Sequence, residues 1–164
     1  MKPARLGLVV ALAVLLADQA SKWWILHGID LPARGNIPLL PVLSLSMVWN
    51  RGVTFGLMQA FGDWGHVGLA LLSLAVVVGL LVWLLRVQTV WTAVAIGAIA
   101  GGAVGNIVDR LRFGAVVDFI HVVLNSPWGE LFPWVFNVGD SAIVCGVGAL
   151  LLEQYVWPAK PRND

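Results

Sequence analysis

The chain has 164 residues, of which 59% are hydrophobic and 12% are charged, and its formal net charge is +1. Soluble domains carry about twice that charged fraction, so the composition excludes an ordinary soluble protein and indicates a membrane protein. The ten Lys and Arg residues are scattered and form no basic cluster, so we expect no nucleic-acid partner.

Four apolar segments predict a membrane all-α fold with four transmembrane helices, because each is close to the ~20 residues that cross a bilayer. The predicted spans cover residues 5–27, 67–85, 90–108 and 136–157 of a single integral membrane domain, residues 1–164. The first segment begins like a signal peptide but has no small-residue cleavage site, so we interpret it as a retained span.

Lys and Arg residues near the span ends predict the orientation of the chain. The count is tied, with Lys2, Arg5, Arg86, Lys160 and Arg162 on one side and Lys22, Arg34, Arg51, Arg110 and Arg112 on the other. Three of the second set, Lys22, Arg51 and Arg110, lie among other polar residues in patterns typical of function. Discounting them favours both termini in the cytoplasm.

The first span ends with Asp18 and Lys22, which are four residues apart and can pair on one helix face. The pair either neutralises itself at the interface, with Lys22 extending outward to water, or takes part in substrate binding. The sequence leaves both readings open.

The connection between the first and second spans is long enough to fold. Residues 43–48 alternate apolar and polar, and residues 53–55 are also strand-like, which predicts a small extracytoplasmic β-sheet with a turn at residues 50–52. This sheet either binds an extended peptide at its edge or is a structural plug. Asn50 either caps the turn or reaches a catalytic group.

The third span carries small residues every four positions, at Gly97, Gly101 and Gly105, a stripe that allows close helix packing. One turn further on, Asn106, Asp109 and Arg110 share a helix face. Residues 118–134 then predict an interfacial loop or helix that could act as a lid, because they are rich in aromatic residues and proline.

The fourth span opens with Asn137 and Asp140, which face the same way. Asp140 lies about one turn into an apolar run, where a carboxylate is costly unless it is paired or used. The single cysteine, Cys145, excludes an internal disulfide, and its apolar neighbours predict a buried, inert thiol.

Polar residues of the first, third and fourth spans converge in one layer near the outer ends of the spans. No HExxH motif or cysteine pair offers a metal site, so we expect no metal and no cofactor. Two neighbouring carboxylates share one proton, so the ionised one can activate water while the protonated one donates to a substrate carbonyl. Spacing alone does not decide which two of Asp18, Asp109, Asp118 and Asp140 form such a pair.

Five motifs occur in order: DQASK at residues 18–22, NRGVTF at 50–55, GNIVDR at 105–110, VDF at 117–119 and FNVGD at 136–140. With these motifs the chain resembles, over nearly its whole length, the bacterial lipoprotein signal peptidase (signal peptidase II) family of intramembrane aspartyl proteases. Thr54 and Gly139 stand where that family usually has alanine.

The resemblance implies that Asp118 and Asp140 are the catalytic pair. It implies supporting or substrate-binding roles for Asn106, Asn137, Asn50, Arg110, Asp18 and Lys22. Asp109 is then expected to be structural, with a nearby arginine or backbone group as its partner.

The resemblance also implies the substrate, a diacylglyceryl-modified prolipoprotein that is cut on the N-terminal side of its modified cysteine. The reaction would take place at the outer face of the cytoplasmic (inner) membrane, in contact with membrane lipid, and globomycin-type inhibitors would occupy the aspartate pair. We expect a monomer.

Two other functions stay open on the residues alone. A small ion-coupled transporter would place its charges near the midplane, usually within inverted repeats, and no repeat is visible in this sequence. A non-catalytic scaffold would use the aspartates only to lock helices together.

Overall fold

The structure is a computed structural model that describes residues 2–52, 65–123, 125–126, 129–130 and 134–156. Its long helices are α1 (Pro3–Trp23), which continues as a π-helical turn (Trp24–Gly28), α3 (Gly65–Leu84), α4 (Val90–Phe113) and α5 (Val138–Val156). A short helix, α2 (Leu31–Arg34), follows the π-helical turn.

Three of these helices are long and apolar enough to cross a membrane: α1 with its π-helical extension, α3 and α4. The fourth, α5, has 19 residues and lies where the sequence predicted the last span. That α5 also crosses the membrane stays a prediction.

Helix α4 is the centre of the bundle and packs against α1, α3 and α5. Its glycines permit this, because a Cβ at Gly97 would collide with the backbone of Gly7, and one at Gly102 with the backbone of Gly139. The small-residue stripe predicted from the sequence is therefore confirmed as a close packing surface.

Strands β1 (Asn36–Leu40), β2 (Leu43–Asn50), β3 (Val116–Val122) and β6 (Val135–Phe136) form one antiparallel sheet in the order β1-β2-β3-β6. Two very short strands, β4 (Asn125–Ser126) and β5 (Gly129–Glu130), pair separately. The strand predicted at residues 43–48 is confirmed as β2, whereas residues 53–55 lie outside the described part of the chain.

The predicted loop is wrong for residues 118–122, which belong to strand β3 in the interior of the sheet. This segment, VVDFIHV, is rich in β-branched and aromatic residues, a composition typical of a buried strand. Val117 and Phe119 complete an apolar core with Ile25 and Leu31 beneath the sheet. Most of the remaining predicted lid, at residues 124–133, has no described side chains.

Helix α4 ends abruptly, which brings β3 close to it. Gly114 adopts the left-handed conformation at φ 69° and donates its backbone N–H to the carbonyl of Arg110 at 3.0 Å. The strand begins two residues later, so Asp118 lies beside the polar end of α4.

The prediction that Cys145 is buried is wrong, because its side chain is exposed on α5. The apolar neighbours that suggested burial, among them Val144 at 70% exposed, face outward as well. An apolar run in a membrane helix indicates lipid contact as readily as it indicates a protein core.

Candidate active site

Asp118 lies in the middle of β3 and is only 1% exposed. Its Oδ2 accepts a hydrogen bond from Asn50 Nδ2 at 2.9 Å, and its Oδ1 accepts one from Asn137 Nδ2 at 2.7 Å. Asn50 comes from the end of β2 and Asn137 from the residue before α5, so three separate segments meet at this carboxyl group.

Asp140 lies in the first turn of α5, and its carboxylate is held by reciprocal capping. The side-chain Oδ1 of Asn137 accepts the backbone N–H of Asp140 at 2.8 Å, and Asp140 Oδ2 accepts the backbone N–H of Asn137 at 3.2 Å. The other oxygen, Oδ1, accepts from Asn106 Nδ2 at 2.8 Å.

Asn137 therefore contacts both candidate aspartates. It is fully buried, and its Nδ2 also lies 3.1 Å from Asn106 Oδ1, to which it donates. The sequence predicted that Asn137 and Asp140 face the same way, and the structure joins them with Asn106 and Asp118 in one hydrogen-bond network.

Burial raises the pKa of the Asp118 carboxyl to about 6. The hydrogen bonds from Asn50 and Asn137 oppose this shift, and the negative charge of Asp140 adds to it. The two aspartates are therefore close enough to interact electrostatically.

Lys22 is 2% exposed, and its ammonium group points into the protein. Nζ lies 2.7 Å from Asp18 Oδ2 and 2.7 Å from Asp109 Oδ2, and it donates to Asn106 Oδ1 at 3.0 Å. The alternative in which Lys22 extends outward to water is wrong, because its ammonium group is buried and bonds to side chains inside the protein.

Asp109 has a backbone partner, as expected, since its Oδ2 accepts the N–H of Val117 at 3.1 Å. Its charged partner is Lys22 rather than an arginine. Gln19, which sequence reasoning passed over, donates to Asp109 Oδ1 at 3.0 Å and to the carbonyl of Gly105 at 3.2 Å. Its position next to Asp18, within the first motif, was the available signal.

Arg110 donates from Nη1 to the carbonyl of Asn106 at 3.3 Å and forms no ion pair with any described residue. Asn50 fulfils both roles that the sequence left open. Its Oδ1 accepts the backbone N–H of Gly52 at 2.9 Å and so caps the turn, while its amide holds Asp118.

Helices suited to a bilayer and two interacting aspartates beside a small sheet define a membrane-embedded protein of the aspartic hydrolase type. A sequence model of the signal peptidase (SPase) II family matches residues 10–156. The chain belongs to this family and is an aspartic protease of a bacterial inner membrane.

Relatives with high identity carry the same description. The chain is 46% identical to the lipoprotein signal peptidase of Methylorubrum extorquens (strain PA1), over 100% of this chain and 94% of that one. It is 43% identical to the lipoprotein signal peptidase of Caulobacter vibrioides, over 90% of this chain and 84% of that one.

Two solved structures described as bacterial membrane enzymes share the fold. One has a TM-score of 0.74 at 23% identity and covers 96% of this chain and 92% of its own. The other has a TM-score of 0.75 at 23% identity and covers 94% of both chains.

Proposed function

We propose that this chain removes the signal peptide from prolipoproteins by cutting on the N-terminal side of a diacylglyceryl-modified cysteine, with Asp118 and Asp140 as the catalytic pair. The observation that carries the proposal is the network in which Asn137 bonds to both carboxyl groups. The substrate class follows the names of the relatives, which are lipoprotein signal peptidases.

The two aspartates have different surroundings, which supports different roles. Asp118 is buried in the sheet, which raises its pKa to about 6, so it takes up a proton more readily than an ordinary carboxyl group. Asp140 lies at the N-terminus of α5, where the helix dipole favours negative charge. We therefore assign Asp140 as the base and Asp118 as the acid.

In the proposed reaction, Asp140 takes a proton from water as the water oxygen attacks the scissile carbonyl. Asp118 donates its proton to the developing oxyanion, which gives a neutral tetrahedral intermediate. When the C–N bond breaks, the proton on Asp140 passes to the leaving nitrogen, and the hydroxyl proton returns to Asp118. No covalent intermediate and no cofactor are needed.

The remaining polar residues divide by what their side chains already contact. Asn106, Asn137 and Asn50 support the pair, since their amides bond to its oxygens. Arg110 has spare donors close to the pair, so we assign it to substrate carbonyl oxygens.

We further propose that the pair lies near the outer face of the membrane with both termini in the cytoplasm, and that the enzyme acts as a monomer in contact with lipid. Globomycin-type inhibitors would occupy the pair. The polar layer at one end of α1, α4 and α5 supports a reaction at one membrane surface, and it argues against a transporter with midplane charges.

The test compares purified wild type with Asp118→Asn and Asp140→Asn, each given a lipidated prolipoprotein and its unlipidated precursor. We expect each variant to cleave about 100- to 10,000-fold more slowly, because each loses one half of acid–base catalysis. Only the lipidated substrate is expected to be cut, and melting temperatures should stay close to that of wild type.

Asp30→Asn is the matched control, because Asp30 is exposed and makes none of the bonds of the site. It should cleave like wild type. Wild-type turnover by Asp118→Asn or Asp140→Asn would refute the assignment of the pair. If folded wild type cuts neither substrate, the proposed function fails, and ion flux in proteoliposomes becomes the next measurement.

A further inference from the structure

A buried ion triad lies behind the candidate pair. It consists of Asp18, Lys22 and Asp109, which are 0%, 2% and 1% exposed. One ammonium group sits between two carboxyl groups inside the protein. Burying such a group costs desolvation energy that ion pairing does not reliably recover, so stability alone does not account for it.

Besides pairing with Lys22, each triad carboxylate accepts a backbone N–H from a residue next to the candidate pair. Asp109 Oδ2 accepts the N–H of Val117 at 3.1 Å, and Val117 directly precedes Asp118. Asp18 Oδ1 accepts the N–H of Gly139 at 2.8 Å, and Gly139 directly precedes Asp140. Each carboxylate of the triad therefore holds the backbone N–H of the residue that precedes one catalytic candidate.

Lys22 adds a third connection through a side chain. Its Nζ donates to Asn106 Oδ1, which leaves Asn106 Nδ2 to donate to Asp140 Oδ1. If the Asn106 amide were reversed, its NH₂ group would face the ammonium of Lys22, and its oxygen would face the Asp140 carboxylate. The positive charge of Lys22, together with the Asn137 Nδ2 donor, therefore fixes which end of the amide faces Asp140.

We propose that the Asp18–Lys22–Asp109 triad is a clamp that sets the separation of the two catalytic carboxyl groups, with Asp109 as the positioning residue for Asp118. The proposal rests on the proposed function, since it concerns the same pair. Lys22 links the two arms, so a displacement of either carboxylate moves one catalytic residue relative to the other.

Two substitutions separate the position of Asp109 from its charge. Asp109→Glu keeps the charge and the pairing with Lys22 but adds a methylene that displaces the acceptor of the Val117 N–H. Asp109→Asn removes the charge but keeps an oxygen of the same reach. Glu153→Asp is the matched control, since Glu153 accepts the hydroxyls of Thr89 and Thr92 at the opposite end of α4 and α5.

The readouts are kcat, KM, the pH profile of kcat/KM and melting temperature. We expect Asp109→Glu to lower kcat about 100-fold with KM little changed, because a small misplacement of a reacting group has an effect of that size. The two apparent pKa values of its pH profile should also change their spacing, since coupling between carboxyls depends on their distance. Asp109→Asn should keep kcat within about threefold of wild type and the same profile.

Glu153→Asp should lower only the melting temperature. The clamp is overturned if folded Asp109→Glu has the kcat and pH profile of wild type. It is equally overturned if folded Asp109→Asn loses about 100-fold in kcat, because charge rather than position would then matter. If Asp109→Glu does not fold, Asp18→Glu decides, because it displaces the acceptor of the Gly139 N–H in the same way, and a wild-type kcat and pH profile there overturns the clamp.

These outcomes are distinct from failure of the proposed function. Turnover by Asp118→Asn and Asp140→Asn at the wild-type rate would remove the catalytic pair itself. The clamp alone fails when those two variants are inactive and Asp109→Glu is unimpaired.

Discussion

Asn137 shows how one side chain makes two distant segments into one site. Its side-chain oxygen Oδ1 caps α5, and its side-chain Nδ2 donates to Asp118 in the sheet. An asparagine suits this position because it carries an acceptor and a donor on one rigid group. Asp or Ser could cap the helix, but neither offers the same donor to a carboxyl group.

The raised pKa of Asp118 predicts a pH-dependent stability. A carboxyl whose folded pKa of about 6 exceeds its ordinary value of 3.8 favours folding when protonated. This contribution is complete below about pH 3.8 and is lost as the pH rises through about 6, a difference of roughly 3 kcal/mol. We expect the melting temperature of wild type to fall over that interval relative to Asp118→Asn, which cannot titrate there. The prediction is contradicted if the melting temperatures of the two proteins change with pH in the same way.

The site was only partly predictable at this scale. Asp18 and Lys22 could be paired from their spacing, because a helix brings residues four apart together. The particular partners of Asp109 could not be predicted from spacing. Its bonds to Lys22 and to the Val117 N–H join segments whose relative placement depends on the whole fold. The choice of Asp118 and Asp140 from the four aspartates came from the family resemblance rather than from spacing.

At the scale of elements, periodicity predicted the helices well and the sheet less completely. A helix imposes a repeat over many residues, so the glycine stripe of α4 was visible. Strand β3 is short and follows a helix after only two residues, and its partner β2 lies about 70 positions earlier in the chain. Such a pairing leaves little local signal.

The close contact between α4 and α5 predicts a specific effect of Gly102→Ala. A Cβ at this position would collide with the carbonyl oxygen of Gly139, the residue before Asp140. The helices must separate, so we expect a lower melting temperature and a fall in kcat as Asp140 moves.

The control for Gly102→Ala is Gly79→Ala in α3, where a Cβ would have no heavy atom within 4 Å. Alanine is the better helix former by about 1 kcal/mol, so stability should be unchanged or slightly higher and cleavage unaffected. Equal behaviour of the two variants would show that the α4–α5 contact does not position Asp140.

Across the whole molecule, polar groups concentrate at the two ends of the helices. The site occupies one end, and Glu153 with the hydroxyls of Thr89 and Thr92 occupies the other. Between them, large apolar side chains such as Leu71 and Leu72 of α3 are more than 60% exposed, as a bilayer requires. This distribution supports the proposed reaction at one membrane surface, with the middle of the protein in contact with lipid.

Cys145 offers a test of whether α5 crosses that bilayer. It lies roughly 10 Å along the helix from Val138, so it would be within the hydrocarbon layer if Asp140 is near the outer face. A charged reagent is excluded from that layer. In sealed proteoliposomes we expect a charged maleimide to leave Cys145 unlabelled, and to label it fully after unfolding in detergent.

The reference is Arg34→Cys in a Cys145→Ser background, because position 34 is exposed next to the sheet and should react rapidly. Rapid labelling of native Cys145 would mean that water reaches this depth, and the fourth span would then have to be abandoned.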